Sequence, residues 1–174
     1  RKTTYLAKTY IEGALISPII IFESFKNNTS NLKYKNFPKC VLDFLEDLKV
    51  PAYKIASFEN AHLPLLEKVA STGKPMIISS GMATVAELGE MVDVIRRVGC
   101  EQFALLKCTS TYPASSENSN VLTIPHMREL FCCEVGLSDH TMGVGASIAA
   151  VAHGATLIEK HFTLNRSWKG TDHP

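Results

Sequence analysis

The chain has 174 residues, and 18 Lys and Arg stand against 17 Asp and Glu, so the formal charge is +1. This balance argues against nucleic acid or an anionic membrane as a partner, because phosphate groups need a concentrated basic surface. Hydrophobic residues make up 45% of the chain and charged residues 20%, which excludes a disordered polymer and predicts a folded unit with a sizeable core.

The N-terminal region gives no pattern typical of a membrane span or a secretory leader. Its most apolar stretch, residues 14–22, has about half the length that a bilayer crossing needs, and Pro18 interrupts it. The five cysteines are an odd number and include no Cys-x-x-Cys pair, which favours a reducing compartment. Residues 1–36 contain a turn-rich run and stay unassigned.

From Pro51 onward, short apolar runs alternate with longer segments of helical period, a pattern typical of βα units around a parallel sheet. The predicted strands are Ala52–Ser57, Pro75–Ser80, Phe103–Ser110, Glu134–Asp139 and Thr156–Phe162. Such an α/β chain fits either an open doubly wound sheet or the later part of a closed (β/α)8 barrel, which takes about 250 residues. The lack of a Gly-x-Gly-x-x-Gly motif after the first strand weighs against a dinucleotide-binding sheet.

Helix signals lie between these strands. Thr84 and Glu87 have the spacing of a capping box, a stripe of apolar residues follows, and Gly99 ends it. The other predicted helices lie near residues 39–48, 65–69, 125–130 and 144–153.

Every predicted strand ends in polar residues, and the carboxyl ends of parallel strands converge on one face where ligands bind. These polar residues are Ser57 and Glu59, Ser79 and Ser80, Ser110 and Tyr112, Ser138 and His140, and Lys160 and His161. A single serine there is uninformative, because Ser commonly caps the next helix. Five polar ends together predict an active site on this face.

Three kinds of side chain in this set carry specific hypotheses. His140 and His161 follow successive strands, so their imidazoles could share one metal ion, or they could be hydrogen-bonded rim histidines. Lys54 interrupts an apolar strand and points either into a wet barrel mouth, toward an anion, or into solvent; Lys107 and Lys160 are similarly placed. Glu59 suits sugar binding or acid–base chemistry, or simply a helix start.

At these residues the sequence resembles the sialic acid synthase family, whose members condense phosphoenolpyruvate with an N-acetylated amino sugar to form a nonulosonic acid. The matching blocks are YKIASFE, GKPMIISSGMAT, LLKCTSTYP, GLSDHTMG, IEKHFTL and KGTDH, in family order within residues 37–174. These sequence blocks are most similar to those of pseudaminic acid synthases, and N-acetylneuraminate and legionaminate synthases are the alternatives.

The resemblance implies a cytoplasmic, metal-dependent (β/α)8 barrel enzyme that forms a homodimer. It places a divalent metal, usually Mn with Mg or Co as alternatives, at His140 and His161. The implied phosphoenolpyruvate contacts are Lys54, Ser57, Ser79, Ser110 and Ser138. The implied sugar contacts are Glu59, Tyr112 and Asp172, and Glu59 is also the candidate catalytic group.

The resemblance also has limits. Family members begin with three further strands and usually end with an antifreeze-like domain, whereas residues 1–36 diverge and residues 37–174 match only a partial barrel of about five βα units. We therefore expect a partial chain. A second class of function stays open, that of an inactive fragment or pseudoenzyme which associates with a complete barrel.

Overall fold

The structure is a computed structural model that describes residues 10–11, 14–15, 42–43 and 45–161. Near the N-terminus, β1 (Tyr10–Ile11) pairs with β2 (Ala14–Leu15) in antiparallel orientation. Residues 42–43 and 45–47 are helical, in agreement with the helix predicted over residues 39–48.

The main sheet has five parallel strands: β3 (Tyr53–Ile55), β4 (Met76–Ser79), β5 (Phe103–Cys108), β6 (Glu134–Asp139) and β7 (Ile158–Lys160). They lie side by side in chain order, and every neighbouring pair is parallel. A doubly wound sheet reverses its strand order at a switch point, and this order has no reversal. The sheet is half of a TIM-type barrel, so the predicted fold class is confirmed.

The five predicted strands are all present, but only β6 has the predicted ends. The other four are shorter than predicted, and some of the polar residues beyond their ends bond to loops. Beyond β5, for example, the Thr109 hydroxyl donates to the Asn118 carbonyl oxygen over 3.0 Å. These residues therefore form the rim of the half-barrel.

The connecting helices are α1 (Leu63–Ala70), α2 (Val85–Arg97), α3 (Thr123–Phe131) and α4 (Gly145–Ala152), and a 3-10 helix spans Ser116–Ser119. The predicted capping box begins α2, since the Thr84 hydroxyl accepts from Glu87 N and the Glu87 carboxylate accepts from Thr84 N. His62 caps α1 by accepting from Leu65 N over 3.1 Å. No helix in the described part of the chain has the length and apolar character of a membrane-spanning segment.

Side chains alternate between the two faces of the sheet. On the helix-covered face, Ile55, Ile78 and Leu105 are at most 1% exposed and belong to the main core. On the opposite, concave face, a second apolar cluster comprises Ile77, Leu106 and Leu157. The concave face is therefore apolar in its lower part, and this layer closes the floor beneath the polar carboxyl ends of the strands.

Two glycines offer a matched test of this packing. A Cβ atom on Gly136, in β6, would overlap the Leu157 carbonyl oxygen and lie 2.8 Å from Leu106 Cδ2, whereas one on Gly89, in α2, would meet nothing within 4 Å. We expect Gly136→Ala to lower the free energy of unfolding by about 1–3 kcal/mol. Gly89→Ala should raise it by about 0.5–1 kcal/mol, because alanine favours a helix. Urea unfolding measures both, and equal effects would contradict the described packing of β6 against β7.

Candidate active site

Lys54 lies on the concave face of β3 and is only 4% exposed. Its ammonium group donates to Ser79 Oγ over 2.7 Å and to the Ile55 carbonyl oxygen over 3.1 Å. Lys54 Nζ is also 3.4 Å from Glu159 Oε2. The alternative of a solvent-facing lysine is therefore wrong, and the charge points into the half-barrel.

Glu159 completes a chain of polar side chains across the interior, which we call the interior polar chain: Ser79, Lys54, Glu159 and Ser138. Its Oε1 accepts from Ser138 Oγ over 2.9 Å while its Oε2 faces Lys54, so side chains from β3, β4, β6 and β7 are linked. The sequence analysis missed Glu159. The signal was available, because Glu159 lies two residues before His161 and strand alternation places both residues on one face.

Gly81, just after β4, allows two predicted serines to meet. A Cβ atom at this position would overlap Ser110 Oγ and lie 2.7 Å from Ser57 Oγ, so both hydroxyls converge on the glycine. The buried Asn60 holds this segment, since its Nδ2 donates to the Ser79 carbonyl oxygen over 3.0 Å and to the Gly81 carbonyl oxygen over 3.2 Å. Asn60 is a second site residue that sequence analysis missed.

The two histidines predicted at the strand ends lie side by side. The ring centroids of His140 and His161 are 5.2 Å apart. Tyr112 stacks next to them, with its ring centroid 4.3 Å from that of His140 and 6.0 Å from that of His161. Three residues predicted for the site therefore form one cluster of rings at the rim.

His140 is oriented by its surroundings. Its Nδ1 lies 3.0 Å from the Thr109 carbonyl oxygen, which is a suitable acceptor for an Nδ1 proton and leaves Nε2 as the free base. Cys108 Sγ lies 3.9 Å from the same nitrogen. Burial opposes charge on the imidazole, but the bonds to Cys108 and Thr109 prevail and raise the pKa of His140 above its ordinary value.

The histidine pair fits the donor set of a divalent metal. Two imidazoles that bind one ion at about 2.1 Å per nitrogen have centroids within about 6.5 Å of each other, and 5.2 Å satisfies this limit. The carbonyl contact at His140 Nδ1 is the usual way in which a protein orients a ligating histidine. Among the described residues, no group of three or more His, Cys, Asp or Glu side chains is placed to hold a metal ion.

The remaining predicted site residues have mixed outcomes. Glu59 lies in the turn after β3 and is partly buried, and its roles as sugar ligand and catalytic group stay predictions. Asp172 lies outside the described residues. The expectation that Lys107 and Lys160 are placed like Lys54 is wrong, because each is one position from a residue of the concave face, Leu106 and Glu159 respectively, and so lies on the helix-covered face. Lys107 donates to Thr109 Oγ1 over 2.6 Å, and Lys160 donates to Asp139 over 2.9 Å.

Comparison with known proteins decides the family. Residues 33–174 match the NeuB family. The chain belongs to the NeuB family.

Relatives in this family carry names that refer to nonulosonic acids. The chain is 47% identical over 136 residues to the pseudaminic acid synthase of Helicobacter pylori, and the match covers 78% of this chain and 40% of that protein. It is 41% identical over 134 residues to the N,N'-diacetyllegionaminic acid synthase of Campylobacter jejuni, covering 76% of this chain and 40% of that protein. The chain thus spans about two fifths of the length of these NeuB relatives.

A solved NeuB-related structure has the same fold. The N-acetylneuraminic acid synthetase of Leptospira borgpetersenii superimposes with a TM-score of 0.72 at 33% identity, covering 76% of this chain and 47% of that chain. The half-barrel of the present chain therefore matches about half of that synthetase chain.

The contact of Cys108 with His140 predicts an unusual thiol titration. Burial raises the pKa of Cys108, but bonds to His140 and Ser57 outweigh burial and bring it down to about 7. In contrast, burial raises the pKa of Cys133 to about 11. In the chelator-treated chain, thiolate absorbance at 240 nm should increase as the pH rises through about 7. Cys108→Ser should abolish this step and Cys133→Ser should preserve it; a step that survives Cys108→Ser would contradict the assignment.

Proposed function

We propose that this chain carries the metal-binding half of the active site of a nonulosonic acid synthase. Such an enzyme condenses phosphoenolpyruvate with an N-acetylated amino sugar and releases phosphate. The observation that carries the proposal is the 5.2 Å His140–His161 pair at the rim of the same concave face that buries Lys54. The similarity to synthases of three different nonulosonic acids supports it.

The interior polar chain is suited to an anion with several oxygens. Lys54 supplies a positive charge, and the hydroxyls of Ser79 and Ser138 lie within the same hydrogen-bonded chain. The phosphate and carboxylate of phosphoenolpyruvate would accept from these donors, and would compete with Glu159 for the Lys54 ammonium group. Ser57 and Ser110, which converge at Gly81, would add two more donors. This binding would be mainly positioning and electrostatic stabilisation.

We propose the bond chemistry that the family resemblance implies. C3 of phosphoenolpyruvate attacks the aldehyde carbon of the open-chain sugar, forming the new C–C bond while the aldehyde oxygen takes up a proton. Water then adds to C2 and loses a proton, and the tetrahedral intermediate expels phosphate by breaking its C2–O bond. The phosphate leaves beside Lys54 and the serines, which would hold its negative charge.

His140 and His161 would hold the divalent metal, Mn in our proposal, through their ring nitrogens. When bound, the metal supplies Lewis acidity that polarises the aldehyde oxygen. Tyr112 packs against both rings, tilted to His140 and edge-on to His161, and would form a wall beside the sugar. Glu59 is proposed to bind the sugar hydroxyls. Asp172 is also proposed as a sugar ligand, and only the family resemblance supports that role.

The preferred sugar is the one that leads to pseudaminic acid. The proposal follows the similarity of the sequence blocks to those of pseudaminic acid synthases. Two relatives named for that product are 47% and 40% identical and the legionaminic acid synthase is 41% identical, so overall identity does not rank the sugars. Phosphate release with each of the three corresponding N-acetylated hexoses would rank them directly.

The metal proposal makes a prediction that does not require turnover. His140→Ala and His161→Ala should each weaken Mn²⁺ binding at least about tenfold in calorimetry, since each removes one of two protein ligands. His126→Ala, an exposed histidine on α3, is the matched control and should bind Mn²⁺ like the unchanged chain.

Phosphate release separates the two classes of function. A synthase releases phosphate from phosphoenolpyruvate only when Mn²⁺ and the hexose are both present, and both histidine variants lose this release. A folded chain that binds Mn²⁺ through the two histidines but never releases phosphate would favour the inactive, associating fragment. Unchanged Mn²⁺ binding in both variants would overturn the metal site itself.

A further inference from the structure

A dense hydrogen-bond network lies directly behind the histidine pair, on the helix-covered face of the sheet. Its centre is Asp139, which is only 2% exposed. Asp139 Oδ1 accepts from Thr141 N and from Thr141 Oγ1, both over 2.8 Å. Asp139 Oδ2 accepts from Ser147 Oγ over 2.6 Å and from Lys160 Nζ over 2.9 Å. Lys160 also donates to the Thr141 carbonyl oxygen over 2.6 Å.

The register of the sheet connects this network to the histidines. Asp139 and Lys160 are direct partners in the β6–β7 ladder, and each is the last residue of its strand. Each is followed at once by a histidine. Successive side chains point to opposite faces of a strand. Because Asp139 and Lys160 point to the helix-covered face, His140 and His161 point to the concave face.

We propose that the Asp139–Lys160 ion pair is a positioning device that sets the separation of the two imidazoles, and with it the metal affinity of the site. Residues on both sides of His140 are fixed by the network, since Asp139 holds Thr141 through two hydrogen bonds. Lys160 holds the same segment and immediately precedes His161. One ion pair thereby restrains the backbone on which both imidazoles stand.

Stability alone gives a poor account of this network. Burying a carboxylate costs solvation that an ion pair seldom more than repays, and well-packed apolar side chains are often as stable. The four hydrogen bonds that the Asp139 carboxylate accepts instead fix the geometry of the groups around it. Fixed geometry matters here because metal ligation needs both nitrogens at a set distance from one point.

This inference rests on the proposed metal site, so the test must separate the two. Lys160→Met removes the charge and the donors but keeps the length of a side chain that is 29% exposed, and leaves Asp139 with its Thr141 and Ser147 donors. Lys160→Arg restores the charge. The control is Lys74→Met, which breaks the remote Lys74–Glu46 ion pair of 2.8 Å. Mn²⁺ affinity, thermal stability and the nuclear Overhauser effect between the His140 and His161 rings are measured for the whole chain.

The expected result is that Lys160→Met weakens Mn²⁺ binding about tenfold and loses the ring-to-ring Overhauser effect, while Lys160→Arg keeps both. Lys74→Met should leave the Mn²⁺ affinity and the ring-to-ring Overhauser effect unchanged, even if it lowers the melting temperature as much as Lys160→Met does. Wild-type affinity and an intact Overhauser effect in Lys160→Met would overturn the inference. If the unchanged chain binds no Mn²⁺ but Lys160→Met still separates the rings, the metal proposal fails while the positioning role stands.

Discussion

The curvature of the five-stranded sheet is the constraint on which the site depends, and the ion pair between Lys54 and Glu159 spans the concave side of that curve. The two residues lie on β3 and β7, the outermost strands of the five-stranded sheet. In a flat sheet these strands would be about 19 Å apart, because four spacings of about 4.8 Å separate them. Lys54 Nζ and Glu159 Oε2 are nevertheless 3.4 Å apart, so the sheet must curl until its edges face each other. Strands four positions apart lie on opposite sides of an eight-stranded barrel, which is the arrangement this contact requires.

The same ion pair explains where the site lies. A buried ammonium group needs a partner, and Lys54 finds Glu159 and Ser79 only at the carboxyl ends of the strands. Below them the concave face is closed by Ile77, Leu106 and Leu157. The boundary between this apolar floor and the polar layer fixes the depth of the site, and the histidine cluster stands just above it at the rim.

Sequence patterns predicted much of this arrangement, for physical reasons that can be named. The alternation of strands and helices, the α2 capping box and the convergence of polar strand ends follow from periodicity and from the geometry of parallel sheets. The strand order did not follow from the pattern, which fitted both a doubly wound sheet and a barrel, and only the family resemblance favoured the barrel. The face toward which each lysine points was harder to predict, because Lys54 and Lys160 both lie within strands and only alternation from a residue of known orientation distinguishes them. Strand alternation placed Glu159 on the same face as His161, but its contact with Lys54 could not be predicted, because that contact joins the two edges of the sheet and exists only once the sheet has curled. The approach of Cys108 to His140 likewise depends on the curvature and on the loop after β5.

The most direct measurement is a double-mutant cycle on the unfolding free energy with Lys54→Met, Glu159→Gln and the double variant. If the ion pair closes the half-barrel, the two substitutions should be coupled by at least about 1 kcal/mol. The exposed Lys74–Glu46 pair, treated in the same way, should show a coupling of only about 0.2–1 kcal/mol. Additivity of the Lys54 and Glu159 substitutions within about 0.3 kcal/mol would contradict the account, because it would mean that these side chains do not meet across the interior.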